Sequence, residues 1–331
     1  MPGISLVVDF KGGMPEKKGT VLRSLDALLH SPDYTKKILL DQNFYLLGCT
    51  QYEHYPLTCF ENSSFQIYLE GQIYDKDPAL LDKELNRLAS CVFQNHSDSD
   101  DRTKEWLLNA DGDFVVFILR KEFGEIAILN DVLGRLPLYS YYSRTDGEFI
   151  LSRELRFITN VKKNADFDRM AIAQFLLLGH PLGERTLLED IHHVRPASII
   201  KICPRTSQIR VQGLRCLDFE SKPYADKGIR ENATELVSRF SQACVDRAHS
   251  ESKNVLALSG GLDSRSVAAG LWKNKIPFSA ATMEMDQSFA ADVKIAAELS
   301  RVFNIDWQMF DLDAPRGKDC LKLLRMKAGL N

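Results

Sequence analysis

The decapeptide Val255-Leu256-Ala257-Leu258-Ser259-Gly260-Gly261-Leu262-Asp263-Ser264 decides the fold of the second half of the chain. Its four apolar residues predict a buried strand, and the residues from Ser264 onward have the spacing of a helix. The two glycines between them let several backbone N–H groups converge on an anion without Cβ atoms in the way. The N-terminus of the helix adds free N–H groups and a positive dipole end. The string therefore predicts a phosphate-binding loop.

Side chains of the loop suit phosphate and metal chemistry as well. Ser259 and Ser264 carry hydroxyl donors, and the Asp263 carboxylate can hold a divalent cation against phosphate oxygens. The string is not a Walker loop, because no Gly-Lys-Ser/Thr follows at the required spacing, and it is not GxGxxG. The alternative is a plain strand-to-helix turn in which Asp263 is only a favourable charge at the helix start.

Around the loop, strands alternate with helices. Predicted helices cover residues 229–249, 264–274 and 289–303, and predicted strands cover 254–258, 277–283 and 305–312. This alternation implies parallel strands joined by right-handed crossovers, an α/β domain. We expect this domain over residues 231–331, after a linker at 216–230.

Residues 1–215 have another pattern and form a second predicted domain. Helical spacing is limited to about 79–95 and 169–177, and either Asp166 or Asp168 can cap the second helix. Otherwise short segments rich in Val, Ile, Phe and Tyr are bounded by Gly, Asp, Asn and Pro. The pattern predicts an α+β domain with antiparallel sheets. Its predicted strands are 44–48, 65–69, 113–119, 125–129, 138–142, 148–152 and 198–202.

The loop string, with Leu258 before it, resembles the pyrophosphate loop of the PP-loop ATP pyrophosphatases, and most closely the asparagine synthetase branch. The resemblance implies a partial α/β parallel-sheet PP-loop domain, similar to the adenine nucleotide alpha hydrolases, with ATP and magnesium as cofactors. It assigns Leu258 and Met283 to adenine, and Asp263 to magnesium. It assigns pyrophosphate to the loop residues Ser259, Gly260, Gly261, Leu262, Asp263 and Ser264.

Two residues beside the loop leave alternatives open. Arg265 stands where the family usually has a small residue, and it either reaches a phosphate or extends into solvent. Asp292 resembles an acidic position of the family near ATP, or it is an ordinary exposed aspartate of the second helix.

The same resemblance implies the reaction. A substrate carboxylate, aspartate by family default, attacks the α-phosphorus of ATP, pyrophosphate leaves, and ammonia or an amine then displaces AMP. We therefore expect an AMP-forming, ATP-dependent amide ligase. The alternatives are a non-catalytic nucleotide-binding or scaffold protein, and a lactam or lasso-peptide cyclase that uses an internal amine. A tRNA-thiolating enzyme shares the loop, but no basic surface or paired cysteines accompany it here.

The later parts of the family's synthetase domain have no counterpart, which favours a fragment of a longer protein over a naturally short chain.

The front domain carries three strings, Asp111–Phe117, Asn130–Tyr139 and Phe149–Glu154. In that order they resemble the class II glutamine amidotransferase domain of asparagine synthetases, which implies an Ntn-hydrolase-like sandwich. The family's nucleophile is an N-terminal cysteine whose own α-amino group acts as the base. Here residue 2 is Pro2, and no cysteine precedes Cys49, so the catalytic residue is unknown.

Two further requirements of a glutaminase fail. The family's Asn-Gly oxyanion element corresponds to Glu70-Gly71, where a carboxylate would repel the developing oxyanion. The arginine that holds the glutamine carboxylate corresponds to the stretch 49–52, which has no positive charge. We therefore expect no glutamine hydrolysis.

Composition restricts the partners. Lys and Arg number 42 against 45 Asp and Glu, so the formal net charge of −3 gives no electrostatic reason to expect nucleic acid or an anionic membrane. The apolar runs are too short to span a bilayer, and no basic-then-apolar start is visible. The seven cysteines form no CxxC pair, which excludes ordinary zinc spacing and favours free thiols in the cytoplasm. A homodimer is left open.

Overall fold

The structure is a computed structural model that describes residues 2–74, 76–94, 97–214, 222, 224–248, 254–284, 290–313 and 316–326. The chain divides into two compact units, Met1–Asp218 together with Lys322–Asn331, and Phe219–Leu321. Most of the predicted linker before residue 224 lies outside the described residues. None of the helices in the described ranges is long and apolar enough to cross a membrane.

The described strands of the first unit form two antiparallel sheets. The strands are β1 Gly3–Asp9, β2 Thr35–Asp41, β3 Tyr45–Gln51, β4 Leu57–Glu61, β5 Phe65–Ile73, β6 Gly112–Arg120, β7 Glu125–Asn130, β8 Tyr139–Ser143, β9 Glu148–Ser152, β10 Ile191–His193, β11 Ser198–Cys203 and β12 Gln208–Gly213. The first sheet has the order β10-β8-β9-β1-β3-β2, and the second has the order β12-β11-β7-β6-β5-β4. All pairings in both sheets are antiparallel.

Four of the described helices cover the outer faces of the sheets: α1 Met14–Asp26, α2 Pro78–Val92, α3 Ser97–Asn109 and α4 Leu155–Lys162. A further helix, α5 Arg169–Leu178, has only Ala171 buried. Apolar side chains of α1 and α4 share a core with the outer face of the first sheet. Those of α2 and α3 share a core with the outer face of the second sheet. A third core lies between the two sheets. These elements therefore form four layers in the order helix, sheet, sheet, helix.

Alternation along the strands explains why both faces of each sheet are covered. In β6, Val115 and Phe117 point into the inter-sheet core, whereas Phe114, Val116 and Ile118 point to the helices. Because successive side chains of a strand face opposite sides, a strand that is apolar at every position must be buried on both. The prediction of an α+β domain with antiparallel sheets is confirmed.

Several elements of this unit were not predicted. The strands β1, β2, β4, β10 and β12 and the helices α1, α3 and α4 fall outside the predicted segments. Helix α1 is one example, since its buried positions Met14, Val21 and Leu25 are separated by charged and polar residues. Of the two candidate caps for α5, Asp168 is the N-cap, and its carboxylate accepts from the N–H groups of Met170 and Ala171.

The second unit contains a parallel sheet. Its described elements are α6 Ile229–Arg247, β13 Asn254–Ala257, α7 Leu262–Lys273, β14 Phe278–Glu284, α8 Ala290–Phe303 and β15 Trp307–Asp311, and it contains the start of α9 Gly317–Met326 as far as Leu321. The sheet has the order β13-β14-β15, and both pairings are parallel. The predicted alternation of strands and helices is therefore confirmed, within about two residues at each end. Its assignment as a PP-loop domain remains a prediction.

Candidate functional site

A buried carboxylate occupies the position of the expected oxyanion element in the first unit. Glu70, on β5, is fully buried between the two sheets. Its Oε2 accepts from the N–H of Ile4 at 2.9 Å, and its Oε1 accepts from the hydroxyl of Tyr55 at 2.6 Å. The guanidinium of Arg153, which follows β9, donates to the same Oε1. Both carboxylate oxygens are therefore engaged inside the protein.

The backbone N–H of Gly71 is also engaged inside the protein. An oxyanion element would present this N–H to a substrate, but here it donates to the carbonyl of Pro56 at 2.8 Å. Gly71 has φ of +94°, and a Cβ at this position would overlap the carbonyl oxygen of Asp113. A glycine is required here for the tight approach of two strands. Neither the side chain of Glu70 nor the N–H of Gly71 therefore offers a free hydrogen-bond donor to a substrate.

The start of β1 is packed against the same ion pair. Gly3 has φ of +143°, and a Cβ there would overlap the side chain of Arg153. Arg153 is itself fixed, because its Nε donates to the carbonyl of Pro137 at 2.8 Å. Further along β1, the hydroxyl of Ser5 lies 2.9 Å from that of Ser152. The space next to Pro2 is thus filled by Glu70, Arg153 and their partners.

Two groups beside the ion pair have raised pKa values and therefore stay protonated. Burial, and then the charge of Glu70, raise the pKa of the Cys49 thiol far above its usual value. The same two causes, in the same order, raise the pKa of the Tyr55 hydroxyl. A thiol that stays protonated is a poor nucleophile. The stretch 49–52 therefore supplies neither a nucleophile nor, as expected, a positive charge.

The family strings of the front domain have an architectural role in this structure. Asp131 is buried, and its carboxylate accepts from the N–H groups of Phe114, Leu133 and Arg135. Gly134, in the same turn, has φ of +60° and packs closely against Pro196. These contacts hold together the segment that joins β7 to β8.

In the second unit, hydrogen bonds of Ser259 and Ser264 connect the two ends of the loop after β13. The N–H of Ser259 donates to Oγ of Ser264 at 3.1 Å, and the two hydroxyls lie 3.1 Å apart. Oγ of Ser259 also accepts from the N–H of Gly261 at 3.1 Å. Gly261 is the N-cap of α7, and no side chain caps the first turn of this helix. The helix N-terminus, with Asp263 exposed in its first turn, lies at the carboxyl end of β13.

The two glycines of the loop differ in what surrounds them. Neither lies in the left-handed region, so the turn does not require their conformational freedom. At Gly260, however, a Cβ would overlap the Asp292 carboxylate of α8. At Gly261, a Cβ would meet only Oγ of Ser259, at 3.2 Å. Gly260 therefore permits close packing of α8, and the half-buried Asp292 lies against the loop rather than at an ordinary exposed position.

The predicted adenine contacts differ in exposure. Leu258 is 1% exposed, and its side chain belongs to the small core of the second unit. Only its backbone is left for a ligand, and its carbonyl already accepts from the hydroxyl of Thr282 at 2.7 Å. Met283, next to Thr282 on β14, is 61% exposed. Met283 is thus the predicted adenine residue whose side chain is open to a nucleotide.

The remaining predicted positions are exposed or half-buried. Leu262, the first residue of α7, is 73% exposed and contributes its backbone to the helix start. Arg265 donates from Nε to the carbonyl of Gly261 at 3.3 Å, so it bends back over the loop.

Several side chains that hold these sites in place were not predicted from the sequence. Arg153 and Tyr55 were not recognised as the partners of Glu70. In the second unit, Trp307 donates from Nε1 to Oγ1 of Thr282 at 2.8 Å, which ties β15 to the end of β14. Arg153 stands inside a family string, but a strand pattern does not reveal which distant carboxylate an arginine meets.

No curated protein matches the sequence closely enough to count as a relative. A solved structure of the allosteric regulatory enzyme of purine biosynthesis is 12% identical, with a TM-score of 0.40, over 95% of this chain and 81% of that one. Glutamine phosphoribosylpyrophosphate amidotransferase from B. subtilis, complexed with ADP and GMP, is 12% identical, with a TM-score of 0.37, over 93% and 80%. At this sequence identity and TM-score, neither structure assigns a fold or a function to this chain. The sequence profile of the glutamine amidotransferase domain matches residues 41–211, more than half of the chain, and the protein therefore belongs to that family.

Proposed function

We propose that this protein is an ATP-dependent, AMP-forming amide ligase of the asparagine synthetase type, whose glutamine amidotransferase domain does not hydrolyse glutamine. The observation that carries the proposal is the loop Ser259–Ser264. It leaves the carboxyl end of a parallel strand and enters a helix whose first turn has no side-chain cap. Nucleotides bind at such strand ends, and anions bind at such helix starts.

The residues around the loop fit ATP with magnesium. The uncapped N–H groups at the start of α7 supply phosphate donors, while Ser259 and Ser264 add hydroxyls. Asp263 and Asp292 bring carboxylates to either side of the loop. No group of three or more metal-ligating side chains exists among the described residues, so magnesium would arrive with ATP and be held largely by phosphate oxygens.

The proposed reaction has two steps. An oxygen of the substrate carboxylate attacks the α-phosphorus of ATP, and the bond to the β,γ-pyrophosphate breaks. An amine nitrogen then attacks the acyl carbon, AMP leaves, and the nitrogen loses a proton to solvent. We take aspartate as the first substrate to test. The nitrogen comes from free ammonia or from an amine, because the engaged oxygens of Glu70 leave no oxyanion site for glutamine.

The test is a product assay on the purified full-length protein with ATP, magnesium, aspartate and ammonium. The expected products are AMP and pyrophosphate, and Asp263→Ala should abolish them. The control Asp246→Ala removes a carboxylate that pairs with Gln242 on the surface of α6, and it should leave the products unchanged. ADP and phosphate as products would overturn the proposal. Ring closure of a substrate without added ammonia would instead identify the lactam or lasso-peptide cyclase class.

A second candidate is a non-catalytic nucleotide-binding protein. The buried Glu70–Arg153 ion pair favours it, because this pair occupies the position where one activity of the family would need its oxyanion element. Tight ATP binding by the full-length protein, with no turnover for any carboxylate and amine supplied, would decide for this candidate.

A further inference from the structure

A basic pocket lies in the first unit, away from the Glu70 centre and built from described residues only. Its volume is about 550 Å³, within the range of small-molecule sites. It lies beside Val92 at the end of α2 and is lined by the first residues of β7 and β12 and the last residues of β6 and β11. The lining that matters for the argument is Phe93, Arg120, Glu125, Arg144, Lys201 and Arg210.

Three cations of this pocket have no carboxylate bound to them. The side chains of Lys201, Arg210 and Arg144 form no hydrogen bond or ion pair with any other described residue. Arg120 differs, because it donates to Glu125 at 3.1 Å and lies over the ring of Phe123. The nearby Asp100 is engaged by the side-chain amide of Gln212 at 2.6 Å. The pocket therefore keeps an excess of positive charge, although the whole chain has a net charge of −3.

Two of these cations are placed directly opposite each other. Lys201 on β11 and Arg210 on β12 are cross-strand partners, and both strands continue the same antiparallel ladder. Like charges at opposed positions destabilise a sheet. Burial and the charge of Arg210 also lower the pKa of Lys201, and the charge of Asp100 only partly opposes this. An anion placed between the two side chains would remove the repulsion.

We propose that this pocket binds a small phosphorylated molecule, with its phosphate held by Lys201, Arg210 and Arg144. Arginine guanidinium groups pair with two phosphate oxygens at once, and lysine adds a compact charge. The ring of Phe93, stacked on Phe65 at 6.1 Å, gives the pocket a rigid apolar wall for the rest of the ligand. The inference does not depend on the proposed ATP chemistry, since every residue belongs to the amidotransferase domain.

The experiment is calorimetric titration of the full-length protein with inorganic pyrophosphate, without magnesium. Lys201→Gln/Arg210→Gln should weaken binding at least tenfold, and Arg210→Gln alone, at an exposed side chain, at least threefold. The control Lys83→Gln/Lys104→Gln removes the same charge from α2 and α3, outside the pocket, and should change affinity less than twofold. The titration is repeated in Ser264→Ala, so that any pyrophosphate held by the loop of the second unit is measured separately from the pocket.

Unchanged binding in Lys201→Gln/Arg210→Gln would overturn the proposal, as would equal weakening in the charge-matched control or weakening only in Ser264→Ala. Melting curves serve as a second readout. Removal of the opposed charges should keep or raise the melting temperature and should abolish the stabilisation by pyrophosphate. AMP as a second probe distinguishes the ligand's source. Tighter binding of AMP than of pyrophosphate supports a nucleotide in this pocket, and the reverse order supports a phosphorylated molecule without a base.

Discussion

The guanidinium of Arg153 donates to the carboxylate of Glu70 between the two sheets of the amidotransferase domain, and both side chains are almost completely buried. The two residues are 83 positions apart in the chain. Their contact joins the end of β9 in one sheet to β5 in the other. The charged pair occupies the position of the expected oxyanion element, and we expect the stability of the domain to depend on both partners.

Loss of one partner of this pair should be more damaging than loss of both charges. Arg153→Met leaves the Glu70 carboxylate buried without a counter-ion, so the free energy of unfolding should fall by about 3–5 kcal/mol. The double variant Glu70→Gln/Arg153→Met keeps an oxygen that accepts from the N–H of Ile4, and its amide can donate to the hydroxyl oxygen of Tyr55, so it should recover most of that loss. Denaturant unfolding of the three proteins measures both effects. A double variant as unstable as Arg153→Met would contradict the ion-pair account.

Restoring the nucleophile alone should not restore glutaminase activity. In Pro2→Cys, a thiol is supplied at the family position, but the N–H of Gly71 still donates to Pro56 and the carboxylate of Glu70 remains in place. We expect no glutamate release above the level of the parent protein. A coupled glutamate assay is the measurement, with an active class II amidotransferase as the positive control. Glutamate release that depends on the introduced thiol would show that the centre is open.

The two loop glycines should differ in their tolerance of a methyl group. Gly260→Ala forces a Cβ into the Asp292 carboxylate, so the loop or α8 must move and ATP affinity should fall at least tenfold. Gly261→Ala meets only the hydroxyl of Ser259 at 3.2 Å and should lower affinity less than threefold. Titration with ATP and magnesium compares the two variants. Equal effects would mean that the close approach of α8 does not shape the loop.

The stability of the first unit should depend on pH through Asp9. Burial by itself would raise the pKa of this carboxyl, but hydrogen bonds from Lys17 and from the N–H groups of Lys11 and Gly13 outweigh burial and hold the pKa below its usual value of 3.8. Because the folded-state pKa is lowered, the stabilisation is complete above pH 3.8 and is lost as the pH falls through the lowered pKa.

Lys17, which contacts Asp9, and its neighbour Lys18, which does not, allow this prediction to be tested. Lys17 lies 2.9 Å from Asp9 and 2.8 Å from Glu148. Lys17→Met should cost about 1–2 kcal/mol at about pH 7, less than a fully buried pair because the lysine is partly exposed. Lys18→Met breaks only an exposed pair with Asp41 and should cost about 0–1 kcal/mol. Unfolding curves from about pH 7 to about pH 3 should converge for Lys17→Met and the parent, and a constant difference would contradict the role of Asp9.

Strand positions were well predicted where the signal is local. The segment Glu148–Ser152 was predicted to the residue, and β13 to within one residue, because β-rich runs bounded by turn residues are read from neighbours in sequence. Helix α1 and strand β1 were missed, since their apolar residues reach a core that distant strands complete. The motif Ser259–Ser264 predicted a loop between a strand and a helix, and that geometry was found.

The sequence by itself determined the order of the two kinds of domain, the phosphate-loop string and the poor fit of Glu70-Gly71 to an oxyanion element. These follow from residue types and short spacings. Only the tertiary structure decided that Glu70 is paired with Arg153, that Gly260 makes room for Asp292, and that Lys201 faces Arg210 across two strands. Each of these relationships joins residues brought together by packing or strand register, and the free energy of such a contact depends on burial, which a linear pattern does not contain.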